Sequence, residues 1–215
     1  MTHESGPVDR AALIRAHTVV ARTALVPEIA LHLITEECLL WHASEEQAAA
    51  AGLVEPYWAF AWPGGQALAR HVLDHPALVR EKRVLDFGSG CAIEAIAALK
   101  AGAASALCAD LDPLAAEAAR ENAALNGVRV ETTEENLLGS AVDADVILAG
   151  DVFYDRELAA RALAWLRGQR ALVLIGDPSR GFLDTSSLRL EESYDASPDG
   201  ELSGSRRTGV FQPSR

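Results

Sequence analysis

From residue 83 onward, short apolar runs alternate with segments of helical period. "RVLDF" (83–87) is a five-residue run suited to a buried strand. "CAIEAIAALKAG" (91–102) repeats its apolar positions at helical spacing and closes on Gly102. "SALCAD" (105–110) predicts a second strand. "DPLAAEAARENAALNG" (112–127) predicts a helix, with Pro113 near its start and Gly127 at its stop. "VRVET" (128–132), "ADVILAG" (144–150) and "ALVLIGD" (171–177) read as strands. "DRELAARALAWLRG" (155–168) reads as a helix ending on Gly168. "LRLEESYD" (188–195) and "RRTGVFQP" (206–213) close the chain as strands, joined by the polar loop "DASPDGELSGS". Upstream, residues 8–24 read as a helix, 29–35 as a strand, and 44–52 as a short helix capped by Ser44 and stopped by Gly52. A further helix opens at Trp62-Pro63-Gly64-Gly65 and runs through "QALARHVLD".

Strands alternating with helices imply an α/β fold: a doubly wound, mostly parallel sheet with helices on both faces. Runs such as "DVILAG" and "ALVLIG" are apolar throughout, as buried parallel strands are. The last two strands predict an antiparallel pair at one edge. Residues 1–54 read as an N-terminal extension on a core of residues 55–215.

Such sheets bind ligands beyond the C-terminal ends of their strands. That rule gathers Asp86, Gly88 and Gly90, then Asp110, then Glu135 and Asn136, then Asp151 and Tyr154, then Asp177.

Composition narrows the partners. The chain has 215 residues, 19 of them basic and 31 acidic, for a net charge of -12. A broad nucleic-acid face is excluded, because phosphate binding needs clustered Lys and Arg. No apolar run approaches the roughly 18 residues of a membrane span. Three cysteines, Cys38, Cys91 and Cys108, without a CxxC spacing, argue against a disulfide framework and for a reducing, cytoplasmic compartment. Residues 10–26 hold three Arg and no acid, as transit peptides do, but Glu4 and Asp9 precede them, and the segment reads as an ordinary amphipathic helix. No metal-ligand cluster is picked out.

The glycine turn "VLDFGSG" (84–90) points to a nucleotide-like cofactor. A dinucleotide fingerprint would need glycine at 93, where Ile93 stands. Asp86 would also repel a pyrophosphate. S-adenosylmethionine fits better: it is cationic and carries no phosphate. Asp86 then orders the loop and faces the cationic end. Asp110, which ends its strand, takes the ribose, while Asp112, just before Pro113, caps the next helix. Asn136 or Glu135 meets the adenine edge or caps its own loop. Cys91 reads as a small residue in a tight turn rather than a reactive thiol.

Four stretches carry a resemblance: "EPYWAFAWPGGQALARHVLD", "VLDFGSGCAIEAIAALKAGA" with "ADLDP", "AGDVFYDRELA", and "LIGDPSR". They resemble the seven-strand class I methyltransferases, and within them the family that methylates lysines of the electron transfer flavoprotein β-subunit. The resemblance implies S-adenosylmethionine as cofactor and a protein substrate, the flavoprotein β-subunit. It implies that the WPGG element covers the methionine end of the cofactor, with Trp62 as a wall. Core packing is the other reading of Trp62, since Trp58, Phe60 and Trp62 alternate as on a strand face. A pair of glycines at that helix start lets backbone approach a ligand. Asp151 is expected to position the incoming amine, or else to cap the helix after it. Tyr154 orients the same nucleophile or packs. Asp177, with Arg180, shapes the substrate groove or only makes a turn. A small-molecule methyltransferase on the same fold is the alternative function. The chain departs from the family at Ala92, where a third glycine is usual, and at Glu94, where small residues are common.

Overall fold

The computed structural model describes residues 9–42, 46–47, 53, 55–179, 181–197 and 205–214. The helix expected over 44–52 falls mostly outside these residues, as do Arg180 and the middle of the loop before the last strand.

Helix α1 (Arg10–His17) starts on Asp9, whose carboxylate accepts from Ala12 N at 3.0 Å. It ends sooner than its apolar pattern suggests. The Thr18 hydroxyl bonds back to the Ile14 carbonyl, and the β-branched pair Val19-Val20 enters strand β1 (Val19–Ala21). So residues 8–24 are not one helix. β1 pairs antiparallel with β2 (Leu31–Leu33) as a separate hairpin. Two later Asn side chains, Asn122 and Asn126, bond that hairpin. Asn126 bonds both the N–H and the carbonyl of Ala30, and Asn122 accepts from His32 N at 2.7 Å.

The main sheet contains β3 (Arg83–Phe87), β4 (Ser105–Ala109), β5 (Glu131–Thr133), β6 (Val146–Gly150), β7 (Leu172–Asp177), β8 (Leu188–Ala196) and β9 (Arg206–Pro213). Their spatial order is β5-β4-β3-β6-β7-β9-β8. The five strands β3–β7 run parallel, and β9 and β8 close the edge antiparallel. β5 is shorter and later than the expected 128–132.

Between the strands lie α2 (Pro63–Asp74), α3 (Ile93–Lys100), α4 (Pro113–Leu125) and α5 (Arg156–Arg167). Successive residues of each strand serve opposite faces. Val84, Val146 and Leu148 pack with α2 and α3, whereas Leu85, Ile147 and Ile175 pack with Ala162 and Leu166 of α5. The chain leaves β3 toward β4 and β5, then returns to β6 on the other side. That reversal opens the crevice at the ends of β3, β4 and β6 where ligands sit in open α/β sheets.

Trp58 does not lie on a strand face. A short 3-10 turn spans Tyr57–Ala59. Trp58 is buried with Ile14, Leu53, Ala115 and Ala118.

Candidate active site

The glycine turn leaves β3 through Gly88 (φ +72°) and Gly90 (φ +46°). Both angles favour glycine. A methyl on Gly88 would also lie 2.7 Å from Val152 Cγ1. Asp110 ties the turn from the next strand: one oxygen accepts from Gly90 N at 2.9 Å, the other from Asp112 N at 3.0 Å. Asp112 caps α4 through Leu114 N at 2.8 Å. The division of labour between the two acids follows their phase against Pro113.

Asp86 is fully buried. Its Oδ2 accepts from Ala95 N at 3.0 Å, so it orders the turn by holding the first turn of α3. Burial pushes its carboxyl up to about 8, against the pull of the Ala95 N–H, and the Asp110 charge adds to the rise. Its Oδ1 is a buried acceptor with no hydrogen-bond partner among the described residues. The positive charge of a cofactor group would draw this carboxyl toward its ionised form and satisfy it. That open acceptor and the bare backbone of Gly88 and Gly90 fit S-adenosylmethionine.

Asp151 ends β6 with its backbone at φ +55° and is almost fully buried. Its Oδ2 accepts from Gly65 N at 3.1 Å, in the first turn of α2. The N-cap of that helix is Trp62, which offers no side-chain acceptor. Asp151 therefore supplies a carboxylate to the helix N-terminus from another strand. It does not cap α5; Asp155 does, accepting from Glu157 N and Leu158 N. Val152 and Phe153 are buried, and Tyr154 is 60% exposed at the rim. Partial burial and the nearby Asp110 charge raise the Tyr154 pKa, so its hydroxyl stays protonated at neutral pH.

The glycines of WPGG meet neighbouring backbone. A methyl on Gly64 would sit 2.3 Å from the Gly176 carbonyl and 2.8 Å from Asp151 N. A methyl on Gly150 would sit 2.6 Å from Gly65 N. Bare backbone at these positions lets the α2 N-terminus press against the ends of β6 and β7. Trp62 is half-buried; its indole N–H donates to the Tyr57 carbonyl at 2.9 Å, and its ring stands 5.6 Å from that of Phe60.

Other residues take local roles. Asn136 is exposed and accepts from Leu138 N at 3.0 Å, which makes it the cap of its own loop. Glu135 is exposed beside it. Asp177 accepts from Ser179 N at 2.7 Å and shapes a turn. Cys91 is buried, and burial pushes its thiol up to about 12, so it is inert.

Two further residues belong to the site: Glu94, which stood in the sequence only as a departure from the family pattern, and Asn122, which had no counterpart among the candidates. Glu94 points inward, 5% exposed, with its carboxyl against Gly65 and Gly150. Burial, then the charges of Asp86 and Asp151, raise its pKa well above the ordinary value. Asn122 donates to the Cys91 carbonyl at 2.9 Å while accepting from His32 N, which links the glycine turn to the N-terminal hairpin. An Asn on the buried face of an otherwise alanine-rich helix was the available signal.

A glycine turn after β3, an acid after β4, an acid after β6 and the antiparallel β8–β9 edge define a class I methyltransferase, whose cofactor is S-adenosylmethionine. A sequence model of the ribosomal protein L11 methyltransferase family matches residues 67–152. A solved structure of the ribosomal protein L11 methylase of Lactobacillus delbrueckii subsp. bulgaricus superposes with a TM-score of 0.52 at 27% identity, covering 71% of this chain and 78% of that one. The chain is 44% identical over 173 residues to the electron transfer flavoprotein beta subunit lysine methyltransferase of Xenopus laevis, covering 78% of this chain and 69% of the relative. With the Mus musculus protein of the same name it shares 43% identity over 177 residues, 80% of this chain and 68% of the relative. The chain belongs to the electron transfer flavoprotein beta subunit lysine methyltransferase family.

Proposed function

We propose that this enzyme transfers methyl groups from S-adenosylmethionine to lysine side chains of the electron transfer flavoprotein β-subunit. What supports the reading most is the placement of Asp151, a buried carboxylate beside the glycine turn, with exposed Tyr154 three residues on. When bound, the cofactor supplies an electrophilic methyl on a sulfonium. Attack by an amine moves charge rather than creating it, so the chain must mainly align the two groups and exclude water. Gly88, Gly90 and Asp110 hold the cofactor, Asp86 meets its cationic end, and Trp62 walls the methionine side. Asp151 receives the lysine. A carboxylate raises the pKa of a neighbouring ammonium. Asp151 is therefore a positioning group rather than a base, and the proton leaves to water. Tyr154 lines the entrance. The buried, unpaired thiols support a reducing, cytoplasmic setting.

The test is incubation with labelled cofactor and purified flavoprotein, followed by peptide mass mapping. Label on β-subunit lysines is expected. Turnover of a small amine without protein labelling would overturn the assignment.

A further inference from the structure

His71 lies in the last turn of α2 and His75 is the residue that caps its C-terminus; their ring centroids stand 4.5 Å apart. This end of α2 meets β8. The β8–β9 register slips between Leu190 and Glu192, and bulges of this kind re-aim side chains. Glu192 and Tyr194, two residues apart, both reach α2. Glu192 Oε2 lies 3.4 Å from His71 Nδ1, and the Tyr194 hydroxyl lies 3.1 Å from the same nitrogen. The tyrosine donates to Glu192 Oε2 at 2.7 Å. One ligand atom from each of His71, His75 and Glu192 lies within 4.8 Å of the other two.

A hydrogen bond already fixes one of the two rings. His75 Nδ1 stands 2.9 Å from the His71 carbonyl. A carbonyl can only accept, so Nδ1 carries the proton and Nε2 presents a lone pair. Metal-binding histidines are fixed in this way, by a hydrogen bond from the other ring nitrogen.

We propose that His71, His75 and Glu192 form a binding site for a zinc-like divalent transition metal that joins α2 to β8. Two imidazoles and one carboxylate suit zinc; magnesium and calcium take all-oxygen sets. Three protein ligands leave a fourth position for water. The site lies away from the cofactor crevice. His71 lies about 9 Å along the helix from Gly65, six residues at ~1.5 Å each. The ion would fix the far end of the helix whose N-terminus holds Asp151. The sequence hides this site because its third ligand comes 117 residues after the second.

The test uses the full chain, untagged and stripped with chelator. Calorimetry with zinc chloride should show one equivalent bound, with a rise in thermal midpoint that magnesium chloride does not reproduce. Cobalt(II) should give visible absorption bands of a low-coordinate site. Glu192→Gln and His75→Ala, both at exposed positions, should keep the native circular dichroism and weaken zinc binding about tenfold or more. No uptake at micromolar zinc, equal uptake by both variants, or an equal thermal response to magnesium would overturn the proposal.

Discussion

The Asp151 carboxylate accepts a hydrogen bond from the backbone N–H of Gly65 at 3.1 Å, joining the end of β6 to the first turn of α2. One side chain thus holds the helix and, in the proposed reaction, also faces the substrate. Asp151→Asn separates them, because the amide oxygen still accepts from Gly65 while the charge is lost. The variant should keep its denaturation midpoint and its calorimetric cofactor affinity, and lose methyl transfer at least about tenfold. Asp151→Ala should lose stability as well, by about 1–3 kcal/mol, the usual cost of a buried donor left unpaired. Full activity in the Asn variant would remove Asp151 from the reaction.

Gly64 has no room for a side chain. Gly64→Ala would place a methyl 2.3 Å from the Gly176 carbonyl and 2.8 Å from Asp151 N, both backbone atoms. Either α2 or the strand ends must shift. Urea unfolding should show a loss of about 1–3 kcal/mol or more. A neutral result would mean that α2 sits farther from the sheet than described.

Ala92 adopts the left-handed conformation at φ +60° and is wholly buried. That is why glycine is usual there. Ala92→Gly relieves about 1–2 kcal/mol of backbone strain. It also gives up about 0.8 kcal/mol of buried methyl and about 0.4–1 kcal/mol of unfolded-chain entropy. The net change should be close to zero. Ala92→Val adds a β-branched side chain to a strained, filled position, and should cost about 2–4 kcal/mol. Denaturation midpoints of the pair check the argument; a tolerated valine would contradict it.

Burial holds the Asp86 pKa near about 8, above an ordinary value of about 3.9. The folded state therefore binds this proton more tightly than the unfolded state. Its contribution to stability is full below about pH 4 and is lost as pH rises through about 8. Asp86→Asn removes the titration and keeps an acceptor for Ala95 N. Between about pH 5 and 8, its unfolding free energy should fall less steeply than that of the unchanged protein. Parallel slopes would place the buried proton on Glu94 alone.

Hydrophobic period by itself determined the parallel strands β3, β4, β6 and β7, the helices between them and the antiparallel closing pair. Each is a local pattern with its own stop signal, such as Gly102 or Gly168. Phase against Pro113 was enough to single out Asp112, rather than Asp110, as the helix cap. The N-terminal hairpin was not legible in this way. Val19 and Val20 fit a helical stripe, and the bonds that Asn122 and Asn126 make to His32 and Ala30 span 90 and 96 residues. Tertiary structure alone decided what the glycines of WPGG meet, because a glycine freed for a ligand and one freed for a neighbouring backbone look the same in sequence. It also decided that Glu94 turns inward, that Asp151 serves α2 rather than α5, and that Glu192 meets His71 and His75. These are contacts between distant segments, and local period carries no information about which segments the fold brings together.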